Sequence, residues 1–456
     1  MAGLDQGKLI DRTRLARIRA REETTFVSRI PQSATLLARA KQHMPQGVPM
    51  AWMAGLYRFP TIFIADGSGA NFRDVDGNPY LDFNVCDLAM TMGYGPAPIA
   101  EAAARQMQHG AHFLLPTEDA ITVSEDLASR TGMPFWQFTV SASSANTEIL
   151  RIARHLTGRQ KLLVFGGHYH GHIDETLVST ENGQTVPELF GLPKAIAAQT
   201  IIVPFNDLAA AERVLANQDI ALVLTEPGLT NCNIVLPEPG FHDGLRQMTQ
   251  RHGTLLCIDE AHTFQFAYGG LTHAWHLASD FMVLGKGLGT GVSFALYGMT
   301  SSIADHVTRY RDVDIGPKGI ATGGTTYASA LSVAVAKAAL LEVMTPENYR
   351  RVADFGTRLS DGLEAIFAEA DLPWRAFRLG PRAGYCMAPT LPRNGEEAAI
   401  SLDADIVDTR RVYMANRGIW DAVASAGPQA SFAHEAEDIE RYLAAAADFI
   451  DELTDR

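Results

Sequence analysis

Residues 254–291 read TLLCIDEAHTFQFAYGGLTHAWHLASDFMVLGKGLGTG, and two short apolar runs within them decide the fold. The first, TLLCI, closes on Asp259 with Glu260 beside it; the second, FMVLG, closes on Lys286. Runs this short, without polar alternation, have the pattern of parallel strands buried on both faces. The pattern recurs upstream. FWQFTV precedes the helical ANTEILRIARHLTG, KLLVFGG follows, QTIIVPF precedes DLAAAERVLANQ, and IALVLTEP precedes FHDGLRQMTQRHG. This alternation predicts an α/β fold, with a mostly parallel sheet and helices on both faces.

The flanks read differently. Residues 8–43 read as helical with a break near Pro31, and Arg12, Arg14, Arg17, Arg19 and Arg21 cluster there as a solvated basic face. GANFRDVDGNPYLDFN (69–84) reads as a β-hairpin turning at Asp76–Gly77, and APIAEAAARQMQHG as a helix closed by Gly110. After residue 330, alanine-rich helices and short strands take over. The expected organisation is an N-terminal segment over 1–75, a large α/β domain over 76–330, and a C-terminal part over 331–456. The two outer parts together form a smaller α+β domain.

Composition narrows the function. A formal charge of −14 over 456 residues argues against nucleic acid or an anionic membrane as partner. A local site can still oppose that sign and take an anionic small molecule. The four cysteines, Cys86, Cys232, Cys257 and Cys386, form no C-x-x-C pair and read as free thiols of a reducing compartment. There is no signal-peptide-like apolar core at the N-terminus and no apolar run of about 18 residues. A cytoplasmic protein is expected.

In open α/β sheets, ligands sit beyond the carboxyl ends of the strands. Glu226, Asp259 and Lys286 each end a buried run. Lys286 is one of seven lysines and stands among glycines that let a bulky partner approach its amine. It reads either as a strand-end cap or as a desolvated nucleophile able to form a Schiff base. Asp259 needs a positive partner, either an arginine or a pyridinium nitrogen whose proton it would hold. FTVSASSANTEILRIAR (138–154) runs from a strand through Ser141, Ser143 and Ser144 into a helix, as an ordinary N-cap or an anion site would. In VFGGHYHGHIDE (164–175), His168, His170 and His172 alternate, but a zinc site would need a fourth ligand and a supporting shell that the sequence does not offer. No metal is expected.

Together these residues resemble the class III pyridoxal-phosphate aminotransferases of fold type I, nearest the glutamate-1-semialdehyde aminomutase and amino-acid transaminase branch. The resemblance runs from about residue 45 to 450. It is carried by DVDGNPYLDF, RIARHLTGRQKLLVFGGHYHGH, GFHDGLRQMTQRHGTLLCIDEAHT, LGKGLGTG and GGTTYASA. It implies pyridoxal 5'-phosphate as cofactor, with Lys286 forming the Schiff base and shuttling the proton. Asp259 would pair with the pyridine nitrogen and Tyr169 stack on the ring. Ser141, Ala142 and Ser143 would hold the phosphate, joined by Thr325 from a second subunit of a homodimer. Glu226 would lie near the cofactor. The resemblance further implies a transaminase acting on an amine or amino acid and a keto or aldehyde acceptor. An aminomutase, racemase or decarboxylating enzyme on the same scaffold is the alternative.

The sequence departs from the family pattern in three places. SASSA replaces S-G-[ST]-E-A, which is tolerable only if Ala142 has a negative φ. Ala261 replaces a valine against the second ring face and is followed by His262, which could lie close to the ring. Near the N-terminus, the arginine that grips a substrate carboxylate in relatives falls at or beside Trp52. Trp52, Met53 and Tyr57, with Met50, are expected either to form a pocket for a hydrophobic or aromatic substituent or to be core or dimer contacts. Arg58 or Arg417 could supply a carboxylate clamp instead.

Overall fold

The computed structural model describes residues 9–310, 319–422 and 427–455. Residues 1–8 of the expected N-terminal segment, 311–318 of the expected large domain, and 423–426 and 456 of the expected C-terminal part lie outside them. The chain divides into two compact units. The first comprises 1–96, 350–392 and 397–456; the second comprises 97–349 and 393–396. The divisions thus fall after the expected residues 75 and 330.

The first unit opens with a helix, Arg12–Ser28, whose N-cap Asp11 accepts from the backbone N–H of Thr13 at 2.8 Å. Four of the five arginines in the cluster on this helix are paired with acids: Arg12 with Asp403, Arg14 with Asp455, Arg19 with Glu23 and Arg21 with Glu452. Next come β1 (Ile64–Ser68), β2 (Asn71–Asp74) and β3 (Pro79–Asp82), paired antiparallel. The β2–β3 turn is tied by Asp74, whose carboxylate accepts from the N–H groups of Asp76 and Asn78, while Gly77 takes φ +89°. The short strand Ile419–Trp420 pairs parallel with β3, which places the hairpin in this unit.

Beyond β3 the chain makes an unusual turn. Val85, Cys86, Asp87 and Leu88 have φ values of 44°, 50°, 52° and 72°, four consecutive left-handed residues without a glycine. Each costs roughly 1–2 kcal/mol relative to the right-handed form. The buried Asp82 holds the turn: its Oδ1 accepts from the N–H of Asn84 and Val85, and its Oδ2 from the Tyr94 hydroxyl at 2.7 Å. Burial pushes its carboxyl up to about 6 despite those donors.

In the second unit, the described residues form a seven-stranded sheet. The strands are β4 (Phe135–Thr139) and β5 (Lys161–Phe165), then β6 (Val178–Glu181) and β7 (Gln184–Pro187) as a separate hairpin, followed by β8 (Thr200–Val203), β9 (Ile220–Thr225), β10 (Leu255–Asp259), β11 (Phe281–Leu284) and β12 (Ala295–Met299). The sheet order is β4-β12-β11-β10-β9-β5-β8. Only β12 runs antiparallel, pairing with β11 on one side and β4 on the other. All six residues of β9 are buried, and Leu222, Leu224, Cys257, Phe281 and Val283 share one core with Ile149 and Ile152 of the helix Ala142–Thr157. The double-sided burial explains why these strands lack polar alternation.

Gly356, in the helix Pro346–Glu369, tests the packing of the first unit, because a Cβ there would lie 2.1 Å from the carbonyl oxygen of Gly380. Gly356→Ala is expected to lower the unfolding free energy by about 1–3 kcal/mol, read as a shift in denaturation midpoint.

Candidate active site

Because β12 reverses direction twice over, β4, β5, β8, β9, β10 and β11 all present their carboxyl ends at one edge of the sheet. That edge of the second unit gathers the strand-end residues. Ile258 pairs with Thr225, so Glu226 follows β9 beside Asp259 at the end of β10. Asp259 pairs in turn with Val283, so Lys286 lies three residues further along the neighbouring strand. β4 leads into Ser141, and β5 into the GGHYHGH segment.

Asp259 is 4% exposed. Its Oδ2 accepts from Asn146 Nδ2 at 3.0 Å and from His170 Nδ1 at 2.9 Å; its Oδ1 accepts from the Ala261 N–H at 3.0 Å. Burial pushes this carboxyl up, but the His170, Asn146 and Ala261 donors outweigh burial and hold it below its ordinary value. It is an ionised carboxylate kept inside the protein, with Oδ1 able to accept once more.

The two neighbouring acids differ from it and from each other. Burial pushes Glu226 up to about 7. Its Oε2 accepts from the N–H and hydroxyl of Thr230, whereas its buried Oε1 has no hydrogen-bond partner among the described residues. Burial also raises Glu260, whose oxygens accept from the N–H groups of Leu271 and Thr272 and the Thr263 hydroxyl. Glu260 thus anchors the start of the helix Gly270–Ala274 rather than facing the edge chemistry.

Lys286 opens a short turn, Lys286–Gly289, at φ +48°. A lysine in the left-handed region is strained by about 1–2 kcal/mol, and such strain concentrates at functional sites. Ser141 caps the helix Ala142–Thr157, its hydroxyl accepting from the Ser144 N–H at 3.2 Å. Ala142 is the first helical residue, so the φ that its methyl requires is met. Ser143 Oγ accepts from the His172 N–H at 2.9 Å, and a Cβ on Gly171 (φ +88°) would lie 2.2 Å from that Oγ. Gly171 therefore lets the GGHYHGH segment lie against the helix start.

The three histidines have separate places. His170 is buried and carries Asp259. His168 lies between the carbonyls of Phe165 and Thr176, and burial pushes it down to about 4. His172 is exposed, as is Tyr169, and their rings meet edge-on at 6.4 Å. Among the described residues, no three His, Cys, Asp or Glu side chains converge as a metal site requires.

Lys286, Asp259, Glu226, Ala261, His262, Ser141, Ala142, Ser143 and Tyr169 are thus gathered at one edge. Thr325 stands exposed in the turn before the helix Ala330–Ala338, where the nearby Gly323 N–H donates to Glu148 Oε1 at 2.6 Å. Trp52, Met53 and Tyr57 belong to the first unit. With Met50 they line a cavity of about 350 Å³ there, whose walls include Phe59, Phe72 and Trp420. Neither alternative carboxylate clamp is uncommitted: Arg58 pairs with Asp408 at 2.7 Å, and Arg417 pairs with Glu22 and lies over the Tyr413 ring.

Sequence reasoning missed Asn146 and Thr230, and it singled out His170 without pairing it with Asp259. Asn146 sits four residues after Ala142, on the buried face of its helix, and a polar residue on an apolar helix face was the available signal. The donor set fits a pyridoxal phosphate. An ionised buried carboxylate can accept from a ring N–H, Glu226 Oε1, His170 Nε2 and Asn146 Oδ1 are buried without partners among the described residues, and a helix start and an amine share the edge.

Comparison with known proteins agrees. The sequence pattern described as Aminotransferase class-III matches residues 53–378. A glutamate-1-semialdehyde 2,1-aminomutase of Gemmatimonas aurantiaca is 32% identical over 410 residues, covering 88% of this chain and 91% of that protein. A glutamate-1-semialdehyde aminomutase of Pseudomonas aeruginosa, solved in complex with PMP, superposes with a TM-score of 0.92 at 35% identity, covering 98% of this chain and 100% of that one. A β-phenylalanine aminotransferase of Variovorax paradoxus superposes at 0.85 with 26% identity, covering 96% and 97%.

His170→Phe removes a hydrogen bond to a charged group, worth about 1.5–3 kcal/mol. Cofactor retention, measured by dialysis and absorbance, is expected to fall roughly 10- to 150-fold. A depressed carboxyl contributes above its ordinary titration range and is lost as pH falls through the depressed value. The acid-side loss of cofactor should therefore begin at higher pH in the variant.

Proposed function

The chain belongs to the class III aminotransferase family, with the fold of the type I pyridoxal-phosphate enzymes and pyridoxal 5'-phosphate as cofactor, and we propose that it moves an amino group within a single small-molecule substrate, as an aminomutase does. The observation that carries this reading is likeness, over about nine-tenths of both chains, to glutamate-1-semialdehyde aminomutases, on an edge that retains Lys286 and Asp259.

When bound, the cofactor supplies an electron sink beside the substrate carbon. In this reading, Lys286 would hold the resting cofactor covalently, and its amine, once released from that bond, would move a proton between the two substrate carbons. Asp259 keeps the ring nitrogen protonated, a preference worth about 1.4 kcal/mol per pKa unit. Ser141 and the N–H groups of Ala142 and Ser143 bind the phosphate. Thr325 of a second copy completes that site, which makes the working unit a homodimer. Tyr169 covers one ring face, with Ala261 and His262 on the other side.

A second reading, transamination between two substrates, is favoured by the cavity of the first unit. Met50, Trp52, Met53 and Tyr57 suit an apolar or aromatic substituent, and among the described residues its lining includes Asp82 and Asp87 but no arginine or lysine. A site without a cation gives up about 1.5–3 kcal/mol of carboxylate binding.

Two measurements separate the readings. Isomerisation of one amino-aldehyde or amino acid without added keto acid supports the aminomutase. Turnover that stops unless an acceptor is supplied overturns it in favour of the transaminase, and Lys286→Ala should abolish either activity while leaving the fold intact by circular dichroism. In a second assay, an aromatic amine is compared with its α-carboxylated analogue. Near-equal kcat/KM is expected for an apolar cavity, whereas a carboxylate advantage above roughly 10-fold counts against it.

A further inference from the structure

We infer that Glu226, acting through the Thr230 hydroxyl, decides which ring nitrogen of His262 carries the proton, so that Glu226 and Thr230 are positioning residues for a histidine beside the cofactor ring. The placement of His262 at the ring rests on the proposed function; the wiring behind it stands on geometry alone. Thr230 Oγ1 lies 2.6 Å from His262 Nδ1 and in hydrogen-bond contact with Glu226 Oε2, which also accepts from the Thr230 N–H at 3.1 Å. Glu226, Thr230 and His262 are 4%, 1% and 7% exposed, so water does not readily substitute for any link.

A hydroxyl carries one proton, so with His262 neutral these links take one of two arrangements. With Glu226 ionised, its carboxylate can only accept, so Thr230 O–H points to Oε2. Nδ1 of His262 must then donate to Oγ1, and Nε2 presents a lone pair. With Glu226 neutral, its own O–H donates to Oγ1, and Thr230 O–H turns to Nδ1, which now accepts. Nε2 then carries the proton and presents a donor. In passing from the first arrangement to the second, one proton enters at Nε2, one passes from Nδ1 to Oγ1, and one from Oγ1 to Oε2. The net uptake is one proton, and His262 stays neutral throughout.

The unpartnered Oε1 selects the oxygen that is protonated. A proton on Oε1 would have no acceptor, whereas one on Oε2 has Thr230 Oγ1. Among the described residues, the ionisable groups acting on Glu226 include Asp259 on β10, whose charge raises it, and His170 after β5, whose charge lowers it, with His262 behind Thr230. Burial outweighs both and sets the carboxyl at about 7, so both arrangements are populated near neutral pH. A donor at Nε2 would hold an anionic oxygen on the cofactor or substrate, and a lone pair there would take a proton from it.

The test is ¹⁵N NMR of the histidine-labelled holoenzyme between about pH 5.5 and 8.5, with His262 assigned through His262→Gln. In the wild type, one transition near neutrality should exchange the protonated and unprotonated shifts between Nδ1 and Nε2. Glu226→Gln, which does not titrate, should abolish that step. Thr230→Val should uncouple it, and Thr230→Ser should restore it. Protonated shifts at both nitrogens on the acid side, meaning ordinary imidazolium formation, would overturn the inference. So would a step unchanged in Glu226→Gln. Neither readout requires turnover; failure to bind the cofactor at all would instead count against the proposed function.

Discussion

A negative charge enclosed by protein organises the second unit. Asp259 is buried at the end of a strand, yet it stays ionised because three donors converge on it, two of them from elements distant in sequence. Asn146 arrives from the helix after β4, His170 from the loop after β5, and the Ala261 N–H from the turn directly after β10 itself. The sheet order allows this convergence by bringing the carboxyl ends of those strands to one edge. Without those donors, burial would favour the neutral carboxyl, which would leave no charge for the ring nitrogen proposed to pair with it.

The same edge uses burial in the opposite sense one strand away. Glu226 has fewer donors and one unpartnered oxygen, so its proton affinity rises where that of Asp259 falls. Two carboxylates side by side and driven apart in proton affinity form an arrangement typical of acid–base sites. Both are almost fully enclosed, so the difference comes from donor count and from the Asp259 charge, which raises Glu226.

Much of this could be read from the chain before any coordinates. The short apolar runs located the strands, and the residues ending them, Glu226, Asp259 and Lys286, are those at the sheet edge. The hairpin at Asp76–Gly77 and the helix ending at His109 were equally legible, because turn and cap chemistry is local. What stayed hidden depends on strand order. The contacts of Asp259 with Asn146 and His170 span 113 and 89 residues, and no periodicity encodes them. β12 was not read as a strand, and its antiparallel course could not have been, since a buried apolar run reads alike in both directions. The left-handed turn after β3 lacks the glycines that would have announced it.

That turn has a consequence for anyone reshaping the enzyme. Cys86 and Asp87 sit in it and line the apolar cavity, so part of the cavity wall is made of backbone that most sequences would refuse to adopt. Its conformation is imposed by Asp82 from beneath, not chosen by its own residues. Side chains on the opposite wall, such as the half-exposed Met50 and Trp52, can be exchanged at little structural cost. The turn instead behaves as a fixed template, and altering its carboxylate anchor would release the whole wall at once.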